Sequence, residues 1–113
     1  MKVFYPRFKK EELVERLKQN FLEISEKIRI TDARLFGSYV KGTNTAFSDI
    51  DIFIVIDGSD KSDAYSICWD TIEIPEIELH IYTREELEVM KRNGNSFLKE
   101  VERDSVVLLK PFL

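Results

Sequence analysis

One stretch constrains the fold more than any other: Asp49-Ile50-Asp51-Ile52-Phe53-Ile54-Val55-Ile56-Asp57. β-Branched and aromatic residues dominate it, which favours an extended chain. Ile50, Ile52, Ile54 and Ile56 project to one side, and Asp49, Asp51, Phe53 and Val55 to the other. Beyond its first turn the segment is apolar on both faces, which predicts a central strand covered on both faces. The two acids at its start share a face. Two surface acids on a solvated strand end would be the plain reading. The apolar flanks make this the most buried-looking strand in the chain and argue against that, and like charges so close repel. A hard divalent cation, Mg²⁺, would neutralise the pair and keep coordination positions for water and phosphate oxygens.

The rest of the chain supplies the layers for such a strand. Lys9 to about Arg29 reads as an amphipathic helix. Leu13, Leu17, Phe21, Ile24 and Ile28 form its apolar stripe, Glu11 and Glu12 lie near its start, and Lys27 and Arg29 near its end. A first strand runs from about Ile30 to Phe36 and ends at Gly37. Tyr39 to Gly42 reads as a short helical turn, and Thr43 to Ser48 as a polar loop. Ala64, Ile67, Cys68, Thr71 and Ile72 predict a helix from about Ser62 to Ile72, with Trp69 off the stripe, capping an edge of the core. A strand over Glu76–Tyr82 turns Ile77, Leu79 and Ile81 one way, and Glu78, His80 and Tyr82 the other. Thr83-Arg84-Glu85-Glu86 is a capping box, and Asn93-Gly94 is the stop of the helix it opens. A short helix carrying Phe97, Leu98 and Val101 follows, then a strand over Val106–Leu109. This alternation predicts an α/β fold, a small mixed β-sheet flanked by helices.

The 113 residues suit one domain, 1–113. A single cysteine, Cys68, rules out an intrachain disulfide and suits a reducing cytoplasm. No apolar run approaches the roughly 20 residues of a membrane helix. The N-terminus shows no secretion signal. A net charge of −4 speaks against broad, direct binding to nucleic acid but not against a nucleotide bridged by metal.

Chemistry gathers at Leu35-Phe36-Gly37-Ser38-Tyr39-Val40-Lys41-Gly42. A phosphate needs hydrogen-bond donors with no side chain in the way. Gly37 permits close approach, Ser38 adds a hydroxyl and an amide, and a short helix after the turn aims N–H groups at the same point. Alone, a Gly-Ser pair is usually only a turn. Ten residues, Tyr39 to Ser48, separate it from Asp49-Ile50-Asp51. Glu78, flanked by Ile77 and Leu79, adds a third acid on a buried-looking strand that pairs beside the Asp strand. Three carboxylates and a phosphate cradle are the parts of metal-assisted nucleotidyl transfer. Metal stabilises charge as the α-phosphorus is attacked, and a carboxylate helps take the proton of the attacking hydroxyl.

These residues carry a family resemblance. Gly37-Ser38, the gap and Asp49-Ile50-Asp51 resemble the signature of the DNA polymerase β-like nucleotidyltransferase superfamily. The fuller run looks like its smallest members, the minimal nucleotidyltransferases. The resemblance implies a palm-like fold. It also implies two Mg²⁺ ions held by Asp49, Asp51 and Glu78, with Glu78 as candidate base, and ATP or another NTP held by Gly37 and Ser38. Many such proteins partner a HEPN-domain toxin as antitoxin, and some transfer AMP onto its tyrosine. Two positions depart from the pattern. Glu78 is one methylene longer than the usual Asp. Lys41 replaces an Arg and meets phosphate as a point charge rather than a fork.

Other readings stand beside this one. The same fold with a weak or idle site would be a binding module that neutralises its partner by contact. Transfer to a small molecule would need a dimer to build the acceptor pocket, and homo- or hetero-oligomers are both open. His80, the only histidine, shares Glu78's face. It either lines the site or is a hydrogen-bonded neighbour. One His and one distant Cys make no histidine-based zinc site. Cys68 reads as a small core residue. Tyr39 either stacks on a base or packs. The acids over residues 85–88 read as a solvated helix face. Phe4, Tyr5, Phe8 and Pro111-Phe112-Leu113 are core edges or a partner patch.

Overall fold

Helix and strand alternate as the periodicity predicts. The computed structural model describes residues 8–45 and 48–109. The order is α1 (Lys10–Ser25), β1 (Ile30–Phe36), α2 (Ser38–Lys41), β2 (Ile50–Ile56), α3 (Lys61–Ile72), β3 (Ile77–Thr83), α4 (Arg84–Arg92), α5 (Ser96–Arg103) and β4 (Ser105–Leu109).

The strands form one mixed sheet in the order β3-β2-β1-β4. β2 is interior, as its two apolar faces require. It pairs antiparallel with β1 and parallel with β3, while β4 pairs antiparallel with β1. α3 is the crossover that parallel β2 and β3 need. The β2–β3 register sets Asp51 beside Glu78 and Phe53 beside His80. In β1 the register shifts between Ile30 and Asp32, so Ile30 and Ala33 both turn inward. The extra residue, Thr31, donates its hydroxyl to the Val55 carbonyl at 3.2 Å.

Each face of the sheet has its own apolar layer. On one side Leu13, Leu17, Phe21 and Ile24 of α1 and Ala64, Cys68 and Ile72 of α3 meet Leu35, Ile50, Ile52 and Ile54. Tyr39 is 3% exposed and belongs to this layer, so it packs rather than stacking on a base. Cys68 is fully buried there, and burial pushes its thiol up to about 12. On the other side Phe53 and Val55 meet Leu98 and Val101 of α5, with Phe36, Tyr82, Leu87, Met90 and Phe97 around them.

Caps fix the helix ends. Thr83 closes β3 and opens α4 through the predicted capping box: its hydroxyl accepts from Glu86 N–H, and the Glu86 carboxylate accepts from Thr83 N–H. Gly94, at φ +62°, follows the α4 C-cap Asn93, and the Asn95 side chain caps α5 by accepting from Leu98 N–H.

Two expectations need correction. α1 ends at Ser25, four residues short of Arg29. Glu26 N–H reaches Glu23 and Lys27 N–H reaches Ile24, a tighter closure that turns the chain while keeping Ile28 against the core. Lys27 and Arg29 therefore lie past the helix end, where they pair with Glu23 and Asp57. Trp69 is 52% exposed and does not cap the core. Its position on α3 points away from the stripe that the sheet buries. Phe8 packs against the core, with the Arg16 guanidinium over its ring at 5.6 Å. Phe4, Tyr5, Pro111, Phe112 and Leu113 lie outside the described residues.

Candidate active site

Strand alternation builds the site. Residues of β2 that face α1 and α3 are isoleucines, and the intervening Asp51 must face the other way. Parallel pairing puts Glu78 directly beside it, and His80 sits one pleat further along β3. The three residues offer one donor atom each, all within 4.8 Å of one another. Among the described residues they are the group of this kind. Side-chain exposure grades outward: Asp51 21%, His80 25%, Glu78 55%.

The Gly37 turn closes over Asp51 from β1. Gly37 has φ +82° and ψ −151°, a conformation for which a side chain is strained. A Cβ there would collide with the Asp51 carboxylate, its carboxyl carbon lying 3.2 Å away. The missing side chain is therefore what gives the carboxylate its space. Ser38 opens α2 straight after this turn, and the turn and the Asp51 carboxylate are in contact. The N–H groups of Val40 and Lys41 return to the Gly37 carbonyl, which fixes the turn's shape.

His80 is held in an aromatic frame. Phe36 meets its ring edge-on at 5.0 Å and Phe97 lies at 5.8 Å. Its Nε2 stands 3.4 Å from Asp51 Oδ1 and 3.9 Å from Glu78 Oε1. Of the two readings the sequence left for His80, the hydrogen-bonded neighbour is present, and its partner is Asp51. Phe36 and Phe97 were not singled out by sequence. Phe36 carried a signal, since it precedes Gly37 and alternates outward from buried Leu35.

Asp49 stands apart. It precedes β2, is exposed, and is outside the three-residue group. Of the residues expected at the site, Gly37, Asp51 and Glu78 come together, Ser38 follows Gly37 in the chain, and Asp49 is exposed and outside the group. Lys41 pairs with Glu100 of α5 across the mouth of the turn. A cleft of about 730 Å³ opens elsewhere on the same sheet face, lined by Asp32, Arg34, Phe53, Leu87 and Leu98 among others. None of the expected site residues lines it. Phe53, which lines it, lies 6.3 Å ring to ring from Phe97.

The donor set suits a divalent cation. Two carboxylates from adjacent strands, with space kept open by Gly37, would repel each other without a positive charge between them. No helix among the described residues is long and apolar enough to cross a membrane.

Known proteins share this fold. The nucleotidyltransferase domain family matches residues 7–108. No curated protein matches the chain. Among solved structures, a candidate nucleotidyltransferase from Sulfolobus solfataricus superposes with a TM-score of 0.61 at 18% identity, over 93% of this chain and 89% of that one. A chain of a toxin–antitoxin complex with AMP-PNP gives 0.54 at 19% identity, over 82% and 73%. A chain of the complex between tri-AMPylated Shewanella oneidensis HEPN toxin and MNT antitoxin gives 0.52 at 16% identity, over 86% and 72%. Fold, site geometry and a match spanning nearly every residue lead to one assignment: the chain belongs to the nucleotidyltransferase domain family.

Proposed function

We propose that the protein is a cytoplasmic, metal-dependent adenylyltransferase of 113 residues in one domain, which moves AMP from ATP onto a tyrosine hydroxyl of a HEPN-type toxin, breaking the α–β phosphoanhydride and releasing pyrophosphate, and so acts as its antitoxin. The observation that carries this reading is the seating of the Asp51 carboxylate against Gly37, beside Glu78. In this reading the Gly37 turn receives phosphate and the carboxylate against it binds metal. The toxin–antitoxin complexes with AMP-PNP and with AMPylated toxin support it through the shared fold.

Each residue has a role in this reading. Gly37 and Ser38 hold the triphosphate close to the strand ends. Asp51 and Glu78 hold the cation, Mg²⁺ in the family pattern, with Asp49 reaching in for a second ion. The bound cation supplies charge stabilisation for the phosphoryl oxygens. Glu78, the most exposed of the acids in the three-residue group, is placed to accept the proton of an incoming hydroxyl. Lys41 leaves Glu100 to meet a phosphate as a point charge. The acceptor comes from a partner chain.

A second reading, the same fold acting by contact with an idle site, draws on the exposure of Asp49 and Glu78. One experiment separates them. The protein is incubated with labelled ATP, Mg²⁺ and the HEPN protein encoded beside it, then again as Asp51→Asn. Label on the partner that disappears with the variant supports transfer. A stable complex with no label from any of the four nucleotides supports contact alone.

A further inference from the structure

The site contains a donor that the three-carboxylate pattern does not. His80 Nε2 lies 3.4 Å from Asp51 Oδ1 and 3.9 Å from Glu78 Oε1. The first is a long hydrogen bond, since N···O separations centre on about 2.9 Å, and the second is beyond hydrogen-bond reach. The 3.4 Å spacing also suits two ligands of one ion, and the exposed Glu78 side chain would have to draw closer to join them. Two donors each roughly 2.1 Å from a cation stand roughly 3.0 Å apart at a right angle and roughly 3.4 Å apart at a tetrahedral one. The ring has little freedom to turn away, since Phe36 and Phe97 pack on it from β1 and α5. The Asp51 carboxylate also packs against Gly37, which has no side chain to displace it. Asp49 is exposed and outside the group, so the imidazole occupies the third place in the compact set.

We propose that His80 is a metal ligand. The site then joins one imidazole nitrogen to two carboxylate oxygens, and it prefers first-row transition-metal dications such as Mn²⁺ and Co²⁺ over Mg²⁺. Mg²⁺ takes oxygen donors in near-ideal octahedra. A nitrogen donor shifts affinity toward the transition series, with Co²⁺ above Mn²⁺. This inference rests on the metal site of the transferase reading and changes which ion fills it.

Pulsed electron paramagnetic resonance of the Mn²⁺-loaded chain tests it directly. A bound imidazole nitrogen gives nitrogen modulation in the wild-type spectrum, a result that needs no variant. His80→Gln loses the modulation and binds Mn²⁺ about tenfold or more weaker, while its Mg²⁺ affinity changes less. Thermal unfolding of His80→Gln shows that it is folded. Mn²⁺ binding that Asp51→Asn abolishes, but with no nitrogen coupling in the wild type, overturns the ligand role and leaves the transferase reading intact. No binding of Mn²⁺ or Mg²⁺ to the wild type overturns both.

Discussion

The two faces of the sheet are built from the same strands and do different work. Toward α1 and α3, Ile50, Ile52 and Ile54 meet Leu13, Leu17, Phe21 and Ile24, all fully buried. Toward α4 and α5, only the far half is closed, by Phe53 and Val55 against Leu98 and Val101. The near half carries Asp51, Glu78 and His80 under the Gly37 turn. One residue of register separates the two. Ile50 and Ile52 anchor the core while Asp51, between them, faces the site. A slip by one residue would exchange the faces and lose both. A domain this small keeps stability and chemistry apart by alternation alone.

Substitutions test how separable the faces are. The largest effect belongs to the closed face. Phe21→Ala should cost about 3–5 kcal/mol of unfolding free energy in denaturant titration, with transfer per folded molecule unchanged. A loss of transfer in the folded fraction would show that the faces are coupled. Gly37→Ala joins both faces. Strain at positive φ should cost about 1–3 kcal/mol, and the new methyl group displaces Asp51, so metal affinity should fall with stability. Unchanged Mn²⁺ affinity in that variant would show that the cradle and the acid are independent. Cys68 reports on the closed face without any substitution. Its burial and raised pKa predict that a thiol reagent at pH 8 labels it only as fast as the chain unfolds. Fast labelling of the native protein would mean that α3 opens locally.

The smallest effect concerns pH at the rim of α4. The Thr83 backbone N–H and the Lys61 ammonium hold the Glu86 carboxyl below its ordinary value of 4.5. A depressed carboxylate stabilises the fold above its unfolded pKa. That contribution is lost as pH falls through the lower folded value. The pair is partly exposed, so the effect is small and weakens with salt. Wild type should lose more stability than Glu86→Gln between pH 5 and pH 3. Equal slopes would contradict it.

The closed face was the more legible one. The α1 stripe, the doubly apolar β2 and the Thr83 capping box all follow from local rules, and each is present. The end of α1 was not readable, because Ile28 continues the stripe while the backbone has already tightened after Ile24. Trp69 was misjudged because bulk alone says nothing about which way a helix face points. On the open face, Gly37 lies against Asp51 and strand alternation sets Glu78 beside it. The place of His80 depends on the parallel register of β2 and β3 and on Phe97 arriving from α5, which no local pattern encodes. The exposure of Asp49 depends on where β2 pairing begins, one residue after it.

The central claim is that the open face is a working transfer site. The most direct measurement is intact mass of the proposed HEPN partner after incubation with ATP, Mn²⁺ or Mg²⁺, and either wild type or Asp51→Asn. The account predicts a partner heavier by one or more AMP units with wild type. With Asp51→Asn the yield should fall about 100-fold or more, while that variant still folds and melts like the wild type. A partner of unchanged mass, bound tightly by both proteins, would contradict it.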